Sequence, residues 1–238
     1  ARFDVPFTGV SYQRLYRILM CVNYDNPLLF QAPLSFRSWS GSKSDVRSIK
    51  LDYDFNKSEC EYYVQQTENR AEQILAKADG AESLVDYLLD IHDEILKSAE
   101  YDYSLKGDGT YEAFGVLNTG SGVCESYSRA YQYLCQCIAV DNILVVGLSD
   151  DEPHMWNMVQ LDGEWYHADL TWDDGDNNMI DYYYFSFNDN NLADYGQRKI
   201  SPELSDKSAI LDMYSDSNYY PIPKARGTKY TVTNMFLN

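Results

Sequence analysis

Residues 120–174 read GSGVCESYSRAYQYLCQCIAVDNILVVGLSDDEPHMWNMVQLDGEWYHADLTWDD. This stretch puts a cysteine after a glycine-rich turn, a histidine at the start of a candidate strand and an aspartate on the next one. Cys124, His154 and Asp169 are the residue types of a thiol-based acyl-transfer site. Gly120, Ser121 and Gly122 break what precedes them, and a run without Gly or Pro follows. In it Cys124, Tyr127, Tyr131, Leu134, Cys135 and Ile138 recur at helical spacing, which predicts a helix from Cys124 to about Ala139. Cys124 then lies in the first turn, where unpaired backbone N–H groups and the positive end of the dipole favour a thiolate and an oxyanion.

The histidine and the aspartate belong to a predicted hairpin. His154 to Leu161 and Glu164 to Thr171 flank Asp162-Gly163, a preferred two-residue type I′ turn. With Leu161 opposite Glu164, His154 faces Thr171 and Trp156 faces Asp169. His154, Trp156, Met158 and Gln160 then share a face with Trp165, His167, Asp169 and Thr171. Provided no bulge intervenes, His154 and Asp169 are diagonal neighbours about 7–8 Å apart at the backbone, within reach of each other's side chains. Asp169 can then fix the imidazole tautomer while the other ring nitrogen faces Cys124.

GVCESYSRAY, HMWNMV and GEWYHADLTWDD resemble the three signature blocks of the transglutaminase-like superfamily, thiol enzymes with a papain-like core, and resemble its secreted bacterial branch most. The resemblance covers Tyr103 to Asn188, extends more weakly to Ile91-His92-Asp93, and is faint over the first eighty or so residues. It implies Cys124 as nucleophile, His154 as general base and acid, and Asp169 as the orienting residue. It implies a protein or peptide substrate, with cell-wall or surface association, and an extracellular or cell-envelope location. Ser126 departs from the pattern, standing where bacterial members usually carry Gly after Cys-Glu; there it is expected to narrow the mouth of the site. No cofactor and no metal are expected.

The chain has 238 residues, enough for a proper core, and suggests one domain with an elaborate N-terminal lobe: residues 1–80 as a helix and strand lobe, 81–238 as the catalytic core. A net charge of −18 repels nucleic-acid phosphates and anionic membranes, so neither is expected as a partner. The 22 tyrosines are expected to pack at sheet faces and helix seams, with a sugar- or peptide-binding surface as the other reading. No apolar run approaches the roughly 18 residues a membrane span needs. Ala1-Arg2-Phe3 is not a signal peptide, so export rests on the family resemblance, with any signal segment already removed.

Five cysteines are an odd number, and Cys124 is the one with a chemical reason to stay free. Cys135 and Cys137, two apart on one helix, point to different sides and are expected as buried, unpaired thiols. Cys21 and Cys60 are free to pair. Their rival, a zinc site from Cys135, Cys137 and a histidine, fits no common spacing.

Along the chain, residues 8 to 32 read as a helix, TGVSYQRLYRILMCVNY, ended by Asp25-Asn26-Pro27. Leu34 to Trp39 and Ser48 to Phe55 alternate like two strands, and Glu59 to Ala78 and Ser83 to Ala99 like two amphipathic helices around Gly80. Ile143 to Leu148 reads as a buried strand, Asp181 to Asn188 as another, and Lys229 to Phe236 as a closing edge strand. A helix carrying the nucleophile on an antiparallel sheet carrying its partners is an α+β arrangement.

Competing readings attach to several residues. His167 shares the proposed face with His154, but the family block sets its histidine before Trp-Asn, which selects His154. His92, with Asp93 and Glu94, imitates a catalytic or metal cluster and is expected as a packed or solvated histidine. Residues 173–178 (DDGDNN) invite a calcium reading but lack the EF-hand order, so an exposed acidic turn is expected. Trp156 and Trp172 either shape a substrate groove or fill the core. Asn118 is a candidate second oxyanion donor beside the Cys124 N–H. The function expected is acyl transfer from peptide or glutamine-type amides through a Cys124 thioester, hydrolytic before cross-linking; a secreted, non-catalytic binding or scaffold module is the alternative.

Overall fold

The structure, a computed structural model, describes residues 2–4, 10–29, 36–42, 45–51, 55–175, 179–192, 194, 199–200 and 222–236. It forms two compact units, Ala1–Tyr63 and Val64–Asn238. In the first, strand β1 (Arg2–Asp4) is followed by helix α1 (Tyr12–Asp25), which starts where Ser11 Oγ accepts the Arg14 N–H and ends at Asn26. Strands β2 (Phe36–Ser42) and β3 (Asp45–Leu51) complete an antiparallel sheet in the order β1-β3-β2. Leu15 of α1 packs with Val46 and Ile49 of β3. The two strands predicted here are thus present with shifted ends; residues 8–9, 30–35 and 52–54 of the predicted elements lie outside the described residues.

Helix α2 (Lys57–Ala78) begins two residues before the predicted Glu59 because Asn56 builds a capping box. Asn56 Oδ1 accepts from the Ser58 and Glu59 N–H groups, and the Glu59 carboxylate takes the Asn56 N–H at 2.7 Å. The division between the two compact units falls inside this helix, at Tyr63/Val64. Helix α3 (Leu84–Leu96) starts at Ser83, whose Oγ accepts the Asp86 N–H. A two-residue strand β4 (Glu100–Tyr101) leads through a loop to a π-helical turn, Gly115–Thr119, and then to its partner β5 (Ser121–Gly122). Helix α4 (Cys124–Cys137) follows as predicted, and then strand β6 (Asn142–Ser149).

The predicted hairpin is present in the predicted register. Strands β7 (Glu152–Leu161) and β8 (Glu164–Ala168) pair Leu161 with Glu164 and Asn157 with Ala168, without a bulge. Asp162 (φ 51°) and Gly163 (φ 82°) are both left-handed, as a type I′ turn requires. The ladder stops at Ala168, earlier than Thr171. From there the Asp169 N–H bonds Tyr184 O, and the chain turns into the one-turn helix α5 (Leu170–Asp173). With β9 (Lys199–Ile200) on the other edge, the sheet runs β8-β7-β6-β9, antiparallel throughout, and the fold is α+β.

Alternation along β7 separates two layers. Val159 and Leu161 join Tyr127, Tyr131 and Leu134 of α4, Ile91 and Ile95 of α3 and Ile74 of α2 in the main core. Trp156 and Met158 face the other way, onto Val145 and Ala225. Two predicted strands are corrected. Asp181 to Asn188 is a turn-rich segment holding one bridge, His167 with Phe187. Lys229 to Phe236 is a turn followed by a short helix, α6 (Val232–Phe236), started where Thr231 O accepts the Asn234 and Met235 N–H groups. Among the described residues no helix is long and apolar enough to cross a membrane.

Candidate active site

Cys124 is the first residue of α4 and is half-buried. Two polar ties fix that helix on the strand that carries His154. Ser128 Oγ donates to Met155 O at 3.1 Å, and Asn157 Nδ2 donates to Ser128 O at 3.0 Å. Asn157 also bonds Asn142 Oδ1 at 2.8 Å, so one buried amide joins α4, β6 and β7. Ser126 faces inward and not toward the mouth of the site, against expectation. It is fully buried, donating to Glu112 O at 2.6 Å and accepting the Val116 N–H at 3.0 Å. Gly122 leaves room for it: a Cβ there would stand 2.4 Å from Ser126 Oγ.

His154 Nε2 lies 2.8 Å from Asp169 Oδ2. A carboxylate only accepts, so Nε2 carries the hydrogen toward Asp169, and Cys124 stands near enough to the ring to favour its charged form as well. Asp169 stands at the N-cap of α5 without capping it; its side chain goes to the histidine. Burial works against a charge on His154. The Asp169 carboxylate and its hydrogen bond, with Cys124 adding to them, outweigh it and push the imidazole up to about 9. Trp156 stacks on the ring at 5.9 Å, and the half-buried Trp172 meets it edge-on at 6.4 Å. Trp156 is therefore core and Trp172 a wall of the site.

His167 is committed elsewhere. The Trp156 indole N–H donates to His167 Nδ1 at 3.0 Å, so the hydrogen of His167 sits on Nε2, 3.1 Å from Asp189 Oδ1. His92, expected as an ordinary packed or solvated histidine, is fully buried between two carboxylates: Nδ1 lies 3.1 Å from Asp93 Oδ1 and Nε2 3.1 Å from Asp173 Oδ2. Burial disfavours its charge, but the bonds to Asp173 and Asp93 raise it above the ordinary value. Burial also pushes Asp173 up to about 6, against the pull of His92 and with Asp169 adding to the rise. Asp173 and Asp174, the start of the supposed acidic turn, are thus taken by His92 and by the Tyr127 hydroxyl at 2.5 Å; residues 176–178 lie outside the described ones.

None of the five cysteines, each among the described residues, stands in a disulfide. Cys135 is buried and accepts from Asn142 Nδ2, and burial pushes it up to about 12; Cys137 is exposed, contrary to expectation. Asn118 is exposed and turned toward α2, its Oδ1 accepting from Thr67 Oγ1 at 3.0 Å in a polar groove with Arg70, Gln73 and Ser98. Tyr101, on the strand paired with the segment before Cys124, has its phenol pushed up to about 12 by burial and by Cys124, and sequence reasoning missed it because its signal is a two-residue pairing between distant positions.

The arrangement supplies a thiol at a helix N-terminus and a histidine whose charged form is favoured, and whose ring is oriented, by a buried carboxylate. Those are the parts needed to attack a carbonyl and protonate its leaving group. Residues 68–170 match the family model described as the transglutaminase-like superfamily. No curated protein matches the chain in sequence. Among solved structures the chain is similar to a TGase at 13% identity (TM-score 0.43), over 74% of this chain and 52% of that one. It is similar to a candidate cysteine protease from Cytophaga hutchinsonii at 14% identity (TM-score 0.40), over 58% and 62% of the two chains. It is also similar to menin at 12% identity (TM-score 0.38), over 76% and 41%. The chain thus spans less than two thirds of the length of each. The stretch that matches the transglutaminase-like superfamily model, residues 68–170, holds Cys124, His154 and Asp169.

Proposed function

We propose that this chain is a thiol-dependent acyl-transfer enzyme acting on peptide or glutamine-type amide bonds, with Cys124 as nucleophile, His154 as acid and base, and Asp169 as the residue that orients His154. The observation that carries the reading is His154 itself, buried, bonded to Asp169 at 2.8 Å and near enough to Cys124 for the thiol to favour its charged form. Cys124 attacks as a thiolate, its proton held on His154 Nδ1, and the C–S bond forms as the carbonyl π pair moves onto oxygen. The oxyanion collapses, the C–N bond breaks, and the leaving amine takes the Nδ1 proton. Water then enters with His154 as base and releases the acid and the thiol.

Hydrolysis is favoured over cross-linking because Cys124 is only half-buried, so a thioester on it meets water before an amine. A protein or peptide substrate at the cell envelope or outside the cell fits the family resemblance. The test is mass spectrometry of casein incubated with the protein and a biotinylated alkylamine, with Cys124→Ala as control. Cleavage or deamidation that needs Cys124 is expected. Amine incorporation in place of both would reverse the preference for water. A Cys124 that iodoacetamide labels, with no product on casein or on cell-surface proteins, would instead leave a binding module.

A further inference from the structure

Asp169 needs support from outside its own segment. The ladder of β8 has ended at Ala168, and α5 is a single turn, too short to hold its place alone. One residue of the turn-rich segment opposite supplies the hold. Tyr184 accepts the Asp169 N–H at 2.8 Å and gives its own N–H to Asp173 Oδ1 at 2.9 Å, so it clamps both ends of α5. The Asp173 side chain is fully buried, and its other oxygen, Oδ2, meets His92 Nε2 at 3.1 Å. A carboxylate only accepts, so His92 is the donor.

His92 is itself fixed. It lies on α3, whose Ile91 and Ile95 enter the main core. Its Nδ1 stands 3.1 Å from Asp93 Oδ1, and Asp93 is held in turn by the Tyr182 hydroxyl at 3.1 Å and by Lys97 at 3.4 Å. Phe185 meets the ring edge-on at 5.3 Å. An unbroken chain of hydrogen bonds therefore runs from a core helix to the site. It passes from His92 to Asp173, through the backbone N–H and C=O of Tyr184 to Asp169, and on to His154, with links of 3.1, 2.9, 2.8 and 2.8 Å.

We propose that His92 is a positioning residue of this site, holding Asp169 in line with His154 through Asp173 and Tyr184. The role rests on Cys124, His154 and Asp169 working together as proposed above. No proton travels along the chain; each link fixes the geometry of the next. Loss of the first link lets α5 and Asp169 drift, and His154 then loses the carboxylate that favours its charged form.

The test uses matched pairs of variants that lose the same charge. His92→Gln places an amide where Nε2 stood and keeps the donor to Asp173. His92→Asn places it where Nδ1 stood and keeps only the bond to Asp93. By labelled imidazole NMR, His154 should titrate near 9 in His92→Gln, as in the wild type, and below that in His92→Asn. On casein, kcat should fall by about 2–30-fold in His92→Asn alone, with KM unchanged. At the next link Asp173→Asn keeps an acceptor for the Tyr184 N–H, whereas Asp173→Leu, of similar volume, removes it. The same contrast is expected there, and it decides the matter should His92→Asn not fold. A His92 that only stabilises the fold would cost stability in urea but leave both members of each pair with the same His154 titration. That result overturns the proposal. A wild type with no Cys124-dependent product on casein ends the acyl-transfer reading, and the role of His92 with it, before any variant is made.

Discussion

Replacing Asp169 by Asn keeps the shape of the side chain and removes the charge that His154 depends on. An ordinary imidazole titrates near 6.5, and His154 is pushed up to about 9. At 1.36 kcal/mol per pH unit the environment favours the charged ring by about 3 kcal/mol. Burial taken alone lowers the value, and Asp169 supplies the main opposing effects. In Asp169→Asn the titration of His154 should therefore drop below about 6.5. The consequence for stability changes sign. In the wild type the folded-state value is raised, so the stabilisation is complete below about 6.5 and is lost as pH rises through about 9. In the variant the buried ring is held neutral, and stability is lost as pH falls below about 6.5. Labelled imidazole NMR can follow this directly, since the chain has only 3 histidines, and urea denaturation on both sides of neutrality gives the second readout. A comparable change in a serine triad cost about 10⁴ in kcat. A thiol ionises more readily and should lose less, on the order of 10–10³. A His154 titration that stays near 9 in Asp169→Asn would refute the reasoning and make the aspartate a structural residue.

Two further substitutions test the surroundings. Ser126→Ala removes two buried hydrogen bonds and strands the Val116 N–H, so it should destabilise by about 1–3 kcal/mol in urea denaturation; a loss well below that would mean the segment relaxes around the gap. His167→Gln should also lower stability by about 1–3 kcal/mol, since it disturbs the bonds to Trp156 and Asp189, yet the pH profile of acyl transfer should be unmoved, because His154 alone faces Cys124.

The parts of the fold that were legible are those dictated by local chemistry. Asp162-Gly163 sets a type I′ turn, the turn sets the register, and the register puts Trp156 and Met158 on one face and Val159 and Leu161 on the other. The helix behind Cys124 follows from its spacing in the same way. Asp181 to Asn188 and Lys229 to Phe236 were misread because their aromatic and β-branched residues satisfy a strand pattern, while the chain spends their backbone groups differently. The first makes its one bridge at Phe187, and the second is capped into a helix at Thr231. Propensity ranks what a segment can be; hydrogen-bond partners from elsewhere decide.

The candidate site divides along the same line. Cys124, His154 and Asp169 were found together because a hairpin and a helix start are local devices whose geometry can be worked out from spacing. What surrounds them comes from distant pairs. His92 meets Asp173 from 81 positions away, and Asn118 turns to Thr67 from 51. Such contacts leave no period in the sequence, and the residue type alone misleads: Asn118 has the amide a second oxyanion donor needs and spends its carbonyl on α2. The ladder ending at Ala168 carries the same lesson for Asp169. Had β8 continued to Thr171, Asp169 would sit in a ladder opposite Trp156. By breaking there, the chain gives the Asp169 N–H to Tyr184 O and frees the carboxylate to close on His154 at 2.8 Å. The break in the strand is thus what lets Asp169 reach the histidine, and the His154 titration in Asp169→Asn measures how much that contact is worth.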